Sequence, residues 1–154
     1  MEEVSLQLKV SLHHQCMVYV EGRIRTAEQA MHRAQEAANE EGKSSAGDKY
    51  ETGRAMMQIE RDKAAQQLDE SLKLKRILEG IRTDARVDKV SLGAVVLSDE
   101  VNFYIAISVG KIQVEEKSFI AMAANAPVAM LLMGLKQNDT FHFNGRQHVV
   151  RTIL

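Results

Sequence analysis

The stretch EEGKSSAGDKY, residues 40–50, separates two helix-like runs of similar length. It is mostly polar and contains two glycines and two serines. Glycine and serine interrupt regular structure and favour turns. Two helices joined by such a stretch fold back on each other, so the sequence predicts a helical hairpin with this stretch at its tip.

Apolar residues recur at helical spacing on both sides of the turn. The first run, residues 8–39, carries them at Leu12, Cys16, Tyr19, Ile24, Ala27, Met31, Ala34 and Ala38. The second run, residues 46–81, carries them at Met56, Ile59, Ala64, Leu68, Leu72, Leu74, Leu78 and Ile81. Steps of mostly three or four residues are typical of amphipathic helices. The opening VSLQLKVSL also alternates like a strand, which leaves its conformation open between helix and strand.

The two stripes match when the chain is folded back at Ser45. Leu12 then lies opposite Leu78, Cys16 opposite Leu74, Met31 opposite Ile59 and Ala34 opposite Met56. This matching predicts an antiparallel two-helix coiled coil. Helices of about 30 residues make a rod of roughly 45 Å at a rise of about 1.5 Å per residue.

A second domain is predicted where the helical pattern ends, at residues 85–154. Runs 90–97 and 102–109 and the segment IQVEEKSFIAM have strand character, and Asn144-Gly145 is a strong hairpin signal. APVAMLLMGL predicts a short buried helix that begins near Pro127 and ends at Gly134. The predicted fold class is therefore α+β, with a coiled coil over residues 1–84 followed by a small α+β domain.

Composition restricts the classes of function. The 154-residue chain has a net charge of −1, so it lacks the overall basic field that recruits nucleic acid. It has no apolar run near the ~20 residues of a membrane span, and the start MEEVSLQ does not resemble a signal peptide. The single cysteine agrees with a reducing compartment. We expect a cytoplasmic protein with no membrane association.

The residues with reactive side chains do not combine into a catalytic group. Cys16 lies on the apolar stripe, where a thiol is inert, and the adjacent His13 and His14 point about 100° apart on a helix. His142 and His148 flank the Asn-Gly turn with no carboxylate or serine placed beside them, which favours cross-strand packing. Because no nucleophile, base and orienting group occur together, we expect that the chain is not an enzyme.

Asp48 and Glu51, near the tip, are the candidate metal ligands. Carboxylates three residues apart share one face of a helix and can hold a divalent cation such as Mg²⁺, completed by water and a phosphate. A cation held there can assist phosphodiester hydrolysis at the active centre of another enzyme. The alternative is that Asp48 caps the helix and Glu51 complements its dipole. The sequence leaves both readings open.

A hairpin with an acidic tip followed by a small α+β domain resembles the bacterial Gre transcript-cleavage factors. The C-terminal half carries the closer similarity, in VSLGAVV and in IAMAANAPVAMLLMGLKQNDTFHF. The resemblance implies an FKBP-like C-terminal domain without prolyl isomerase activity. It also implies a monomer that binds RNA polymerase, with the globular domain at the rim of the secondary channel and the coiled coil reaching inward, near the nascent RNA.

The resemblance also assigns residues. The polymerase-contacting loop corresponds to Asn125, Ala126 and Pro127, where Ala126 replaces the usual serine and Asn125 a common acid. The segment that shapes the domain corresponds to Gly134, Lys136 and Asp139, and Asn138 stands where the family usually has glycine.

The tip differs from the family pattern. When Tyr50 and Arg54 are aligned with the family's tyrosine and arginine, its two cleavage acids fall at Lys43 and Ala46, neither of which can bind a cation. The resemblance therefore supports an accessory factor that binds the polymerase and modulates transcription more strongly than it supports transcript cleavage. Any Mg²⁺ would be shared with the polymerase. The alternative is a structural adaptor that self-associates through its coiled coil and has no polymerase role.

Overall fold

Two long helices form the N-terminal half of the chain. The computed structural model describes residues 2–41 and 47–154, with side chains described for residues 5–40 and 51–154. Helix α1 (Glu2–Glu41) and helix α2 (Gly47–Glu79) flank the predicted tip. The two predicted helices are confirmed. The opening VSLQLKVSL is helical, and its buried residues Lys9 and Leu12 lie three positions apart, which is helical spacing.

The chain divides into two compact units. One unit contains Met1–Val18 and Arg76–Leu154, and the other contains Tyr19–Lys75. Helix α1 therefore contributes residues to both units. The domain boundary predicted between residues 84 and 85 stays a prediction.

The unit Tyr19–Lys75 is an antiparallel helical hairpin with a seam of small side chains. Val20, Ala27 and Ala34 are buried at seven-residue intervals in α1, and Ala64 and Ser71 are buried seven residues apart in α2. A seven-residue repeat of buried positions is the pattern of a coiled coil. The predicted coiled coil is thus confirmed, and its seam is built largely from alanine.

Part of the predicted apolar stripe is wrong. Met56 and Ile59 are 58% and 64% exposed, although the sequence had placed them opposite Ala34 and Met31. Tyr19 is also exposed, and the neighbouring Val20 is buried in its place. The buried residues of the seam recur every seven positions, and most of them are small. Large apolar residues beside the seam are therefore left on the surface.

The other unit contains a mixed six-stranded sheet in the order β3-β4-β2-β1-β6-β5. Its strands are β1 (Val95–Ser98), β2 (Asn102–Ala106), β3 (Gly110–Val114), β4 (Lys117–Ala123), β5 (Thr140–Phe143) and β6 (Arg146–Ile153). Only the β2–β4 pair is parallel among these neighbouring strands. The first predicted strand run, 90–97, is shortened to β1 because Gly93 lies in a turn with φ 92°.

Local turn residues fix the C-terminal elements. Asn144 and Gly145 have φ values of 52° and 75° and join β5 to β6, so the predicted two-residue hairpin is confirmed. Helix α3 (Pro127–Leu132) begins at its proline, whose missing N–H needs no partner in the first turn. Gly134 follows α3 with φ 84°, a conformation that favours glycine.

The sheet is covered on both faces within its unit. Val96, Phe103 and Ile105 form a core with Ala129 and Leu132 of α3. Successive side chains of a strand point to opposite faces, so Tyr104 points away from that core. The Tyr104 hydroxyl meets His13 of α1 on the other face. The predicted α+β fold class, a two-helix region followed by a sheet with one short helix, is confirmed.

No helix within residues 2–41 and 47–154 is both long enough and apolar enough to cross a membrane.

Candidate partner-binding surface

The loop that the family resemblance assigned to partner binding lies at an exposed corner of the sheet unit. Asn125 and Pro127 are exposed, and Ala126 is half-buried. Ala126 has extended backbone angles, φ −65° and ψ 147°, and its N–H donates to the Ala123 carbonyl. Pro127 then fixes the first turn of α3. The corner is a rigid turn because proline and a backbone hydrogen bond both restrain it.

Helix α3 presents large apolar side chains to solvent directly after this corner. Met130, Leu131 and Met133 are 67%, 59% and 38% exposed, whereas Ala129 and Leu132 are fully buried. We call these three exposed residues the α3 patch. A contiguous exposed apolar surface on a small protein is typical of an interaction site.

The sequence predicts that this helix is buried. That prediction is wrong for Met130, Leu131 and Met133. A signal was present, however. A surface helix buries only one stripe, so a six-residue helix that reads PVAMLL leaves some apolar side chains outside.

Two lysines meet where the segment that follows α3 pairs with the segment that precedes β1. Lys89 and Lys136 are backbone partners in an isolated antiparallel bridge, and both are exposed. Within residues 2–41 and 47–154 neither lysine forms an ion pair. The Asp139 carboxylate accepts the Lys136 N–H at 2.7 Å, which closes the turn through Asn138. Asn138 has φ 77°, which explains why glycine suits this position in the family that the sequence resembles.

The candidate metal ligands at the tip are only partly described. Glu51 is exposed on α2. Asp48 belongs to the first turn of α2, but its side chain lies outside the described residues, as do Lys43 and Ala46 altogether. Within the side chains that the structure describes, no three His, Cys, Asp or Glu residues are grouped as metal ligands. The metal role of Asp48 and Glu51 stays a prediction.

The other reactive residues are held in structural contacts. Cys16 is fully buried, as predicted, and burial raises the pKa of its thiol to about 11. His14 is exposed, whereas the Nδ1 atom of His13 lies 2.9 Å from the Tyr104 hydroxyl. Burial lowers the pKa of His13, which favours the neutral imidazole that can accept the tyrosine proton. Cys16 is therefore not accessible to solvent as a nucleophile.

The predicted cross-strand packing is confirmed for His148, but the expectation that no carboxylate lies beside it is wrong. His148 is directly opposite Phe141 and stacks on it at 5.4 Å, so it does not pair with His142. A carboxylate does lie beside it: Asp99 Oδ1 is 3.3 Å from His148 Nδ1. Asp99 precedes β2 and is distant in sequence, so no local pattern indicated this contact. Partial burial opposes ionisation of Asp99, but hydrogen bonds from Val149 and His148 bring its pKa below the ordinary value.

Comparisons with known proteins found one similar solved structure and no matching family. No protein-family model matches the chain, and no curated protein matches it. The solved structure of the transcription factor Gfh1 is similar over 89% of this chain and 92% of its own chain, at 13% sequence identity and a TM-score of 0.35.

Proposed function

We propose that this chain is a cytoplasmic accessory factor that binds RNA polymerase through the α3 corner and modulates transcription. The observation that carries the proposal is the position of the α3 patch. Met130 and Leu131 are exposed within four residues of Pro127, beside the loop that the resemblance to Gre factors assigns to polymerase contact. An apolar surface and a family-assigned contact loop thus coincide on one short helix.

The α3 patch has the properties of a binding anchor. Burying a leucine or methionine side chain contributes roughly 1.5–3 kcal/mol. The helix is held in place by Ala129 and Leu132, which are fully buried in the core. Its exposed side therefore loses little backbone freedom on binding, and this preorganisation favours affinity.

In this proposal the tip of the coiled coil enters the secondary channel of the polymerase and changes elongation or initiation. The sheet domain is an FKBP-like anchor without prolyl isomerase activity. We do not expect strong stimulation of transcript cleavage, because the family's acids correspond to Lys43 and Ala46. Mg²⁺ would be shared with the polymerase only if Asp48 and Glu51 reach its active centre.

The binding step is tested with purified RNA polymerase from the same organism in an interferometry or pull-down experiment. Met130→Ser with Leu131→Ser should weaken binding about ten-fold or more, since truncated anchor residues dominate interface energy. Val10→Ser with Val18→Ser is the matched control, because these valines are 50% and 51% exposed on α1. Pro127→Ala tests the loop. No association at micromolar protein, or equal losses for both double variants, would reject the proposal.

The effect on transcription is tested by RNA extension and cleavage on a stalled polymerase. The chain should change extension without releasing short RNA fragments. Release that is abolished by Asp48→Ala with Glu51→Ala would instead assign those carboxylates a metal role at the tip. Release that survives this double substitution would exclude them.

A second candidate function, a self-associating adaptor, is favoured by the surface of α2. Met56 and Ile59 are three residues apart, lie on one side of the helix, and are both more than half exposed. A second copy covering them would form a dimer through the helices. Light scattering discriminates the two candidates: a stable dimer that Met56→Ser with Ile59→Ser converts to a monomer supports the adaptor, and a monomeric wild type excludes it.

A further inference from the structure

An open groove lies in the sheet unit, where the β1–β2 and β5–β6 turns meet strands β3 and β4. Its volume is about 490 Å³. A smaller crevice of about 290 Å³ shares Val101 and Phe143 with it and continues to Arg146. Volumes in this range suit small-molecule ligands. We call the larger space the sheet-end groove.

The floor of the groove is apolar and rigid. Val101, Ile120 and Phe143 are half-buried and pack against the core cluster of the sheet. The Phe143 ring meets the buried Phe103 ring edge-on, with centroids 5.5 Å apart and planes at 89°. Aromatic contacts of this geometry hold the ring in place. The groove is thus a fixed apolar surface that stays open to solvent.

The charges around the groove leave one cation available. Arg146 pairs with Glu100 at 3.1 Å, so these two charges offset each other. Lys111 lies on β3 directly opposite Ile120 and lines the groove. Within residues 2–41 and 47–154 Lys111 has no carboxylate in ion-pair distance. The groove itself is lined by Glu100 and Lys111, and Arg146 of the adjoining crevice offsets Glu100. The Lys111 ammonium is therefore the charge beside the apolar floor that is left to meet a ligand.

We propose that the sheet-end groove binds a small carboxylate with an apolar or aromatic body. The body packs on Val101, Ile120 and Phe143, and the carboxylate pairs with the Lys111 ammonium. Charge complementarity selects the anionic ligand, and the apolar floor selects the body. This inference does not rest on polymerase binding, and it is tested on the full-length chain alone.

The test is a ¹H–¹⁵N NMR titration with 3-phenylpropionate and with its neutral counterpart 3-phenylpropanol, each to about 10 mM, where affinities in the millimolar range are measured. The carboxylate should produce saturable shifts in the amides around Val101, Ile120 and Phe143. Lys111→Gln should weaken the carboxylate about three- to five-fold, as expected for an exposed ion pair, and leave the alcohol unchanged. Val101→Ser should weaken both ligands.

The matched control is Lys117→Gln, which removes an exposed lysine of β4 that does not line the groove. Its affinity for 3-phenylpropionate should equal that of the wild type. The proposal is overturned if neither ligand shifts the groove amides saturably. It is also overturned if acid and alcohol bind equally, or if the two lysine variants weaken the acid to the same degree. The spectra of each variant report directly whether it is folded.

Discussion

At the scale of single residues, Cys16 shows how burial controls reactivity in this chain. The side chain is fully buried on α1, and burial raises the pKa of its thiol to about 11. The thiolate is the reactive form, so the native protein holds this cysteine in its unreactive state. Burial, with a further contribution from Cys16, also raises the pKa of Tyr104.

We expect stability to fall as the pH rises from about 9 to about 11. The unfolded chain loses the Cys16 proton in this window while the folded chain keeps it, so ionisation favours unfolding. Two pH units correspond to at most ~2.7 kcal/mol. Urea unfolding at stepped pH measures the slope. The stability of Cys16→Ala should fall less steeply with pH. The fall that remains comes from Tyr104, whose raised pKa also makes ionisation favour the unfolded chain. Identical slopes would contradict the assignment to Cys16.

The contact between His13 and Tyr104 should contribute to stability. Tyr104→Phe removes a fully buried hydroxyl and leaves His13 Nδ1, 2.9 Å away, without this partner. The expected loss is about 1 kcal/mol, typical of one buried hydrogen bond. Tyr19→Phe is the matched control, because Tyr19 is exposed, and we expect almost no loss. Equal unfolding midpoints for the two variants would show that the hydrogen bond contributes nothing.

At the scale of elements, the sequence was most informative where structure is set by adjacent residues. Pro127 and Asn144-Gly145 determine a helix start and a hairpin, and both were predictable because their backbone preferences are local. The family resemblance assigned Asn125, Ala126 and Pro127 to the polymerase-contacting loop, and this assignment stays a prediction. The exposure of Met130 and Leu131 was not predicted, since it depends on which side of α3 meets the sheet.

The error on α2 has a related physical cause. Periodicity identifies a helical face, but it does not tell which of two adjoining faces meets the partner helix. The predicted stripe contained Met56 and Ile59 together with Ala64, whereas the seam buries Ala64 and Ser71 and leaves Met56 and Ile59 exposed. The contact between Asp99 and His148 was missed for another reason, because 49 positions separate the two residues.

Gly93 lies in a turn with a strict steric requirement. It has φ 92°, and a Cβ added there would lie 2.8 Å from Ile81 Cγ2. Isoleucine is stiff at χ1, so that methyl group cannot move away easily. We expect Gly93→Ala to cost about 2–4 kcal/mol, from backbone strain plus overpacking.

Gly145→Ala is the control for this prediction. Gly145 also has a positive φ, 75°, but nothing lies within 4 Å of an added Cβ. Only the backbone cost of about 1–2 kcal/mol should remain. Urea unfolding measures both variants. A loss for Gly93→Ala no larger than that for Gly145→Ala would show that Ile81 adapts to the added methyl group.

At the scale of the whole molecule, α1 belongs to two compact units although its sequence shows no change at the point of division. The unit with the sheet takes Met1–Val18, and the helical unit begins at Tyr19. No glycine or proline marks this position. The predicted domain boundary, between residues 84 and 85, lies where the helical periodicity ends. Periodicity indicates where a helix ends, but it does not tell which other elements each part of the helix packs against.

If the two compact units unfold independently of each other, a substitution that destabilises one unit should not destabilise the other. Leu12→Ala removes a fully buried side chain from the sheet unit, at an expected cost of about 2–5 kcal/mol. Ala64→Gly acts in the helical unit, where the added backbone freedom costs about 1 kcal/mol.

Amide hydrogen exchange reports the opening of each segment separately. Leu12→Ala should speed exchange in β1 and β2 but leave the amides around Ala64 unchanged, and Ala64→Gly should do the reverse. Faster exchange throughout the chain in both variants would show instead that the protein unfolds as one cooperative unit, with α1 transmitting the loss from end to end.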